Sequence, residues 1–287
     1  MNIVTTFEEV RAAHRGSVGL VPTMGYFHEG HLSLMRYARE TADSVVASVF
    51  VNPLQFGEGE DLDRYPRDLD RDAQLAASVG VDVLFAPPVT EMYPTEPALR
   101  VTVGHLADHL CGAFRPGHFE GVATVVAKLF AGVQPDVAFF GRKDAQQLVI
   151  LKRLAVDLSF PVRVVGCPIV READDVAMSS RNVYLSPRQR DSARALSQGL
   201  IRAVNAVEAG ERSARAIIGL VRDEVGRTPG VDVQYVEMVD AETLQPIETL
   251  DTDAILALAA FVGATRLIDN AHFWIEENEV RSELGGA

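Results

Sequence analysis

Val18-Gly19-Leu20-Val21-Pro22-Thr23-Met24-Gly25-Tyr26-Phe27-His28-Glu29-Gly30-His31-Leu32-Ser33-Leu34-Met35-Arg36-Tyr37-Ala38 is the stretch on which the fold turns. Residues 17–22 read as a short buried strand, and residues 31–41 as a helix with Leu32, Leu34, Met35 and Ala38 on its apolar face. Between them lies a loop with Gly25 and Gly30, and with His28 and His31 in the spacing H-x-G-H. In parallel α/β sheets ligands bind beyond the carboxyl ends of strands. The free N–H groups and the dipole of a following helix favour an anion there. Gly30 lets a ligand approach the backbone, and both histidines can donate to phosphate oxygens. Taken alone, the loop supports ATP or phosphate binding, or else a plain helix cap beside two surface histidines.

Working outward, apolar runs and amphipathic stretches alternate through the first part of the chain. Residues 44–51, 81–86, 136–140 and 162–167 read as strands, and 69–79, 122–133 and 145–157 as helices. This alternation predicts an α/β fold, a Rossmann-like parallel sheet. Beyond Cys167 the order changes to helices at 187–208 and 213–227, followed by strands at 232–239, 254–261 and 265–269. That pattern predicts a smaller α+β domain. The expected domains are 1–169 and 170–287.

Composition narrows the function. The chain has 287 residues, 47% of them hydrophobic, enough for a sizeable core. No apolar run is long enough for a membrane span, and the N-terminus does not read as a signal peptide. A net charge of −13 disfavours nucleic-acid binding, so any cations that handle a polyphosphate must be concentrated locally. Cys111 and Cys167 are far apart and form no zinc-like spacing, which makes a cytoplasmic location the default.

Other segments carry chemistry. In Phe50-Val51-Asn52-Pro53-Leu54-Gln55-Phe56, Pro53 stops the strand and leaves Asn52 and Gln55 at the sheet's carboxyl edge. These neutral two-way hydrogen-bonding groups suit a hydroxylated or carbonyl-bearing substrate. Arg115-Pro116-Gly117-His118 offers a cation and a histidine ahead of a helix. In Gly141-Arg142-Lys143-Asp144-Ala145-Gln146-Gln147, Asp144 suits a helix cap, Lys143 supplies a point charge, and Gln147 lies one turn into the helix. Met178-Ser179-Ser180-Arg181-Asn182 combines two hydroxyls with a guanidinium as a compact phosphate grip. Acidic residues 57–63 read as a loop, either a solvated turn or a lid. No serine or cysteine stands beside a base as a nucleophile would.

H-x-G-H early and Met-Ser-Ser-Arg late resemble the two ATP signatures of the class I aminoacyl-tRNA synthetase and nucleotidyltransferase superfamily. Within it the chain is most similar to the pantoate–β-alanine ligase family. The likeness runs through Val21 to Leu34, Val49 to Phe56, Gly117 to Val126, Phe140 to Leu148, Val170 to Asn182 and Arg266 to Asn270, nearly the whole chain. It implies that ATP and pantoate give pantoyl adenylate and pyrophosphate, and that β-alanine then yields pantothenate and AMP. It further implies Mg²⁺ and a cytoplasmic homodimer.

Carried over by motif, Met24, Gly25, Tyr26, Phe27, His28, Glu29, Gly30 and His31 would line the ATP site, with His31 as proton donor. Gly141, Arg142, Lys143, Asp144 and Val170 would bind the nucleotide, and Met178, Ser179, Ser180 and Arg181 its phosphates. Charge in the reaction would be met by His28, His31, Lys143 and Arg181. Gln55 and Gln147 would hold pantoate beside Asn52, and Asp72 is a magnesium-side carboxylate. Arg142 stands where the family commonly has Glu, and Tyr26-Phe27 where smaller residues are frequent.

Overall fold

Stretches of Val, Ala and Leu without polar alternation become strands buried on both faces, as a parallel sheet covered by helices requires. The structure is a computed structural model that describes residues 1–276 and 279–285. Strands β1 (Asn2–Val4), β2 (Val18–Thr23), β3 (Ser44–Val49), β4 (Val83–Phe85), β5 (Val137–Gly141) and β6 (Arg163–Cys167) form one sheet in the order β1-β4-β3-β2-β5-β6. Every pair in it is parallel. Helices α1 (Phe7–Ala13), α2 (Glu29–Thr41), α3 (Leu69–Ser78), α4 (Val89–Met92), α5 (Leu110–Phe114), α6 (His118–Val133) and α7 (Ala145–Asp157) occupy the connections. The expected α/β class is the one observed.

The winding of this sheet fixes where a ligand can bind. From β2 the chain steps to β3 and then β4, whereas β5 and β6 lie on the other side of β2. The direction therefore reverses between β2 and β5. At such a switch point the loops beyond two adjacent strands part and leave a crevice. Those loops begin after Thr23 and after Gly141.

Two compact units share the chain. One comprises Met1–His105, Arg115–Arg142 and Ile150–Cys167; the other comprises Leu106–Phe114, Lys143–Val149 and the chain from Pro168 on. Residues 106–114 and 143–149 thus join the second unit although they precede residue 169. Gln146 provides a reason for the first of these excursions. Its buried amide donates to the carbonyls of Leu106 and His109, at 2.9 and 2.8 Å, and accepts from the N–H of Gly112.

The second unit holds α8 (Pro187–Glu208), α9 (Ala214–Gly226) and an antiparallel sheet of β7 (Val231–Asp240), β8 (Ala254–Val262), β9 (Thr265–Glu276) and β10 (Glu279–Glu283), in the order β10-β9-β8-β7. α8 starts on a capping box between Ser186 and Gln189, with Pro187 in the first turn where its missing N–H costs nothing. Leu196 and Leu200 of α8, Ile217 and Val221 of α9, and Leu256 and Leu258 of β8 form one buried cluster. None of the described helices is long and apolar enough to cross a membrane.

Several elements differ from the sequence reading, among them β9, which runs to Glu276 and not 269. α2 begins at Glu29, so His28 takes the cap position and His31 falls in the first turn. α6 begins at His118, four residues before Val122, because Gly117 turns the chain at φ 78°. Asn2–Val4 is an edge strand, followed by a helix capped by Thr6 and Glu9, a Thr-x-x-Glu box that was available in the sequence.

In the second unit Asp269 and Arg171 form a buried fork, with Nη1–Oδ2 at 2.8 Å and Nη2–Oδ1 at 3.0 Å. Their side chains are only 2% and 6% exposed. Removing one partner of such a pair leaves an uncompensated charge and typically costs about 3–5 kcal/mol. Asp269→Ala should lower the unfolding free energy by roughly that amount in urea titrations, far more than removal of the exposed Arg227–Asp223 pair on α9.

Candidate functional site

The loop after β2 is held in a conformation that few sequences tolerate. Gly25 has φ 88° and Tyr26 has φ 54°, two consecutive left-handed residues. A Cβ on Gly25 would lie 2.8 Å from Val49 Cγ1 and 3.0 Å from Asp72 Oδ2. The Tyr26 strain is offset by Asp72 in the first turn of α3. Its Oδ2 accepts the N–H of Tyr26 at 2.7 Å and its Oδ1 that of Phe27 at 2.6 Å. Burial pushes the Asp72 carboxyl above its ordinary value, and the Phe27 and Tyr26 amides oppose that rise. The Arg71 guanidinium lies 5.2 Å over the Tyr26 ring and steadies it from outside.

This arrangement reassigns two residues. Asp72 does not fit as a magnesium ligand: both its oxygens face backbone amides and it is 1% exposed. No group of three or more His, Cys, Asp or Glu side chains is placed to hold a metal among the described residues. Phe27 is also reassigned, since its ring is wholly buried and its N–H is taken by Asp72. What it contributes is support: its ring packs against His31 with centroids 5.6 Å apart.

His28 and His31 lie together at the start of α2, ring centroids 4.0 Å apart. The His28 backbone N–H points to Nδ1 of His31 at 3.4 Å. That contact makes Nδ1 the acceptor and puts the proton of the neutral ring on Nε2. Glu29 turns aside to pair with Arg36 along the helix. Gly30 uses its carbonyl to accept the Ser33 hydroxyl.

A second loop carries Gln55. Pro53–Gln55 forms a 3-10 turn capped by Asn52, whose Oδ1 accepts from the Leu54 N–H and from Tyr93 Oη at 2.9 Å. Its Nδ2 donates to Gln55 Oε1 at 3.2 Å and to the Gly121 carbonyl at 3.0 Å. Asn52 is 1% exposed and its polar atoms are engaged within the protein, so it does not fit as a substrate contact; it positions Gln55. The half-buried Gln55 amide donates to Met24 Sδ at 3.1 Å. A thioether is a weak acceptor that a substrate oxygen can replace. The loop after β2 and the Gln55 turn are thereby joined directly.

The start of α6 is the platform beneath this turn. A Cβ on Gly121 would come 2.3 Å from the Leu54 carbonyl oxygen, so only glycine permits the approach. His118 Nδ1 donates to the Gln55 carbonyl at 2.8 Å, and its Nε2 accepts from Arg115 Nη1 at 3.0 Å. Arg115 also reaches the Gln55 carbonyl at 3.4 Å and grips Glu60 through Nε and Nη2 at 2.7 and 2.5 Å. The acidic loop at 57–63 is therefore tied down through Glu60. Arg115 and His118 were noted in sequence, but their link to Gln55 and Glu60 depends on contacts across 55–63 residues of chain.

Beyond β5, Gly141 leads into a 3-10 turn, Arg142–Asp144, that runs straight into α7. Cys167, at the end of β6, is buried and its thiol is pushed up to about 11 by burial, with Arg142 opposing. It is no nucleophile at neutral pH.

In the second unit, Lys143 and Ser179 line one small cavity together with Val176, Ala177 and Asp269. Asn270 Nδ2 holds the Lys143 carbonyl at 2.8 Å. Val170 and Met178 meet because residues 170–178 fold back as a tight antiparallel turn: the Met178 N–H donates to the Val170 carbonyl at 3.0 Å, and Arg171 bridges Ala177. Ser179 caps the 3-10 turn Ser180–Tyr184 by accepting the Arg181 N–H, which leaves its own O–H to donate. Ser180 is buried and Arg181 half-buried. The Gln147 amide, half-buried on α7, makes no hydrogen bond with another described residue.

The model of the pantoate–β-alanine ligase family matches residues 2–272. The chain belongs to the pantoate–β-alanine ligase family. Its members condense pantoate with β-alanine to make pantothenate. Among similar proteins, a pantothenate synthetase of Heliobacterium modesticaldum is 55% identical over 93% of this chain and 95% of its own length. The crystal structure of pantothenate synthetase from Thermus thermophilus superimposes with a TM-score of 0.91 at 50% identity, covering 94% of this chain and 98% of that one. A pantoate–β-alanine ligase from Francisella tularensis, complexed with β-γ ATP and β-alanine, has a TM-score of 0.75 and 31% identity, covering 94% and 97%.

Two outcomes follow from the first unit's geometry. Asp72→Asn replaces one acceptor oxygen by an NH2 group that faces a backbone N–H; with charged hydrogen bonds worth about 1.5–3 kcal/mol, the KM for ATP should rise at least ~10-fold. The Arg115–Glu60 pair should also show in pH titrations. Burial raises the Glu60 carboxyl, but hydrogen bonding and charge from Arg115 outweigh it and hold the group below its ordinary 4.5. A depressed carboxyl contributes stability above its unfolded value and loses it as pH falls through the folded one. The stability difference between wild type and Glu60→Gln should therefore be full at neutral pH and vanish on acidification below 4.5. A difference independent of pH would contradict it.

Proposed function

We propose that the chain makes pantothenate in two steps through pantoyl adenylate, using the residues that flank the β2/β5 switch point; the family resemblance gives Lys143 and Met178–Arg181 of the second unit a part in handling the phosphates. The observation that carries this reading is the direct bond between Gln55 and Met24, which joins the substrate turn to the nucleotide loop. In the first step a carboxylate oxygen of pantoate bonds to the α-phosphorus of ATP. The bond from that phosphorus to the bridging oxygen breaks, and pyrophosphate leaves with the electron pair. In the second step the amine nitrogen of β-alanine bonds to the acyl carbon, the bond from that carbon to the phosphate oxygen breaks, and AMP leaves. The amine's protons pass to solvent.

Pantoate's carboxylate is a weak nucleophile that ATP repels. Gln55 binds pantoate through its hydroxyls, which is catalysis by positioning, and the family resemblance gives Gln147 the same substrate. His28 and His31 donate to phosphate oxygens, His31 through Nε2. Gly141, Arg142, Asp144 and Val170 bind the nucleotide, and Lys143, Ser179, Ser180 and Arg181 meet the charge that grows on its phosphates. Magnesium bound with ATP would supply neutralising charge at its phosphates. Residues 57–63 close over the labile adenylate. The enzyme works as a cytoplasmic homodimer, a reading supported by the family resemblance.

AMP formation should require pantoate and β-alanine together, whereas pyrophosphate–ATP exchange should require pantoate alone. His31→Ala should abolish most of that exchange, and near-normal exchange would remove His31 from the mechanism. Lys143→Ala should lose at least ~10-fold in rate, equivalent to ~1.4 kcal/mol of transition-state stabilisation.

A further inference from the structure

The ligase reaction must select one amine from many, and β-alanine differs from a simple alkylamine by the carboxylate at its far end. A site for it needs a cation that the phosphates of ATP do not occupy. Arg115 fits that need. It stands at the start of α6, within reach of the Gln55 carbonyl, and His118 Nε2 fixes one arm of its fork. The opposite edge, Nε and Nη2, presents the parallel pair of donors that matches a carboxylate. That edge holds Glu60, whose side chain ends in –CH2–CH2–COO⁻. β-Alanine is an amine on the same –CH2–CH2–COO⁻.

The pair is also built to exchange. Arg115 and Glu60 are 15% and 27% exposed, so solvent reaches both. Glu60 follows Gly59, which has φ 80° and open space around it, so the turn can rearrange without disturbing packing. Arg115 itself cannot follow, because His118 and the Gln55 carbonyl retain it.

We propose that Arg115 is the docking group for the carboxylate of the amino-acid co-substrate, and that Glu60 occupies it as an internal analogue until that substrate displaces it. This rests on the ligase reading. It makes Arg115 the determinant of amine specificity.

The test compares β-alanine with n-propylamine, the same chain without the carboxylate, as acceptors in AMP formation by the full chain. Arg115→Gln should reduce the ratio of the two kcat/KM values about 10-fold or more, the worth of a charged bidentate contact. General damage to the fold lowers both values and leaves the ratio in place, so an unchanged ratio overturns the proposal. Glu60→Gln removes the internal competitor and should lower the KM for β-alanine about fivefold, the scale of a partly exposed ion pair, without altering that for n-propylamine. An unchanged or higher KM for β-alanine also overturns it. Pyrophosphate–ATP exchange by the wild-type chain separates the two levels. No exchange with pantoate overturns the ligase reading and this proposal with it; normal exchange with an unmoved acceptor ratio overturns the proposal alone.

Discussion

A buried carboxylate shapes the loop after β2 before any ligand arrives. Asp72 takes the N–H groups of Tyr26 and Phe27, and in doing so stabilises a backbone that is left-handed at Gly25 and Tyr26. Left-handed geometry at a non-glycine residue is costly on its own, and it persists where surrounding structure over-determines it. With those two amides fixed, Phe27 drops into the core, its ring supports His31, and α2 starts at Glu29 with His28 as its cap and His31 in its first turn. The direction of the His31 ring is thus a consequence of a bond made by α3.

The Gln55 turn follows the same logic with neutral groups. Tyr93 donates to Asn52, Asn52 holds Gln55, and α6 closes on the turn because Gly121 has no side chain. Burial keeps the Tyr93 hydroxyl protonated far above its ordinary range, so it is a donor at any working pH. Each polar group in the chain Tyr93–Asn52–Gln55 has a defined partner, and its weak link is the bond from Gln55 to the Met24 sulfur.

Much of this was legible in the sequence because the relevant signals are local. A strand, a glycine-bearing loop and a helix are read from some twenty adjacent residues, and the parallel sheet, the helices at 145–157 and 187–208 and the first two C-terminal strands appear where apolar periodicity placed them, whereas β9 runs on to Glu276 and β10 was not anticipated. What escaped depends on distance along the chain. Asp72 and Asn52 are polar residues in suggestive positions, and nothing in their neighbours reveals that their oxygens are spent on backbone 45 residues away in one case, or their amide on a carbonyl 69 residues away in the other. Phe27 looked like a ligand contact because it lies inside a ligand-binding motif; its side chain alternates inward while the motif's polar groups alternate out. The excursions of residues 106–114 and 143–149 into the second unit were hidden for a similar reason, since Gln146 reads like any helix-start glutamine.

The occupied amides of Tyr26 and Phe27 also set terms for inhibitor chemistry. In many nucleotide sites the loop N–H groups form the nest that an anionic warhead exploits. Here a protein carboxylate already fills that nest from behind, so an acidic group aimed at these two amides meets like charge and a closed donor set. On the proposed reading of the site, a competitive ligand would gain more from an amide carbonyl at Gln55, whose own contact with the Met24 sulfur is weak.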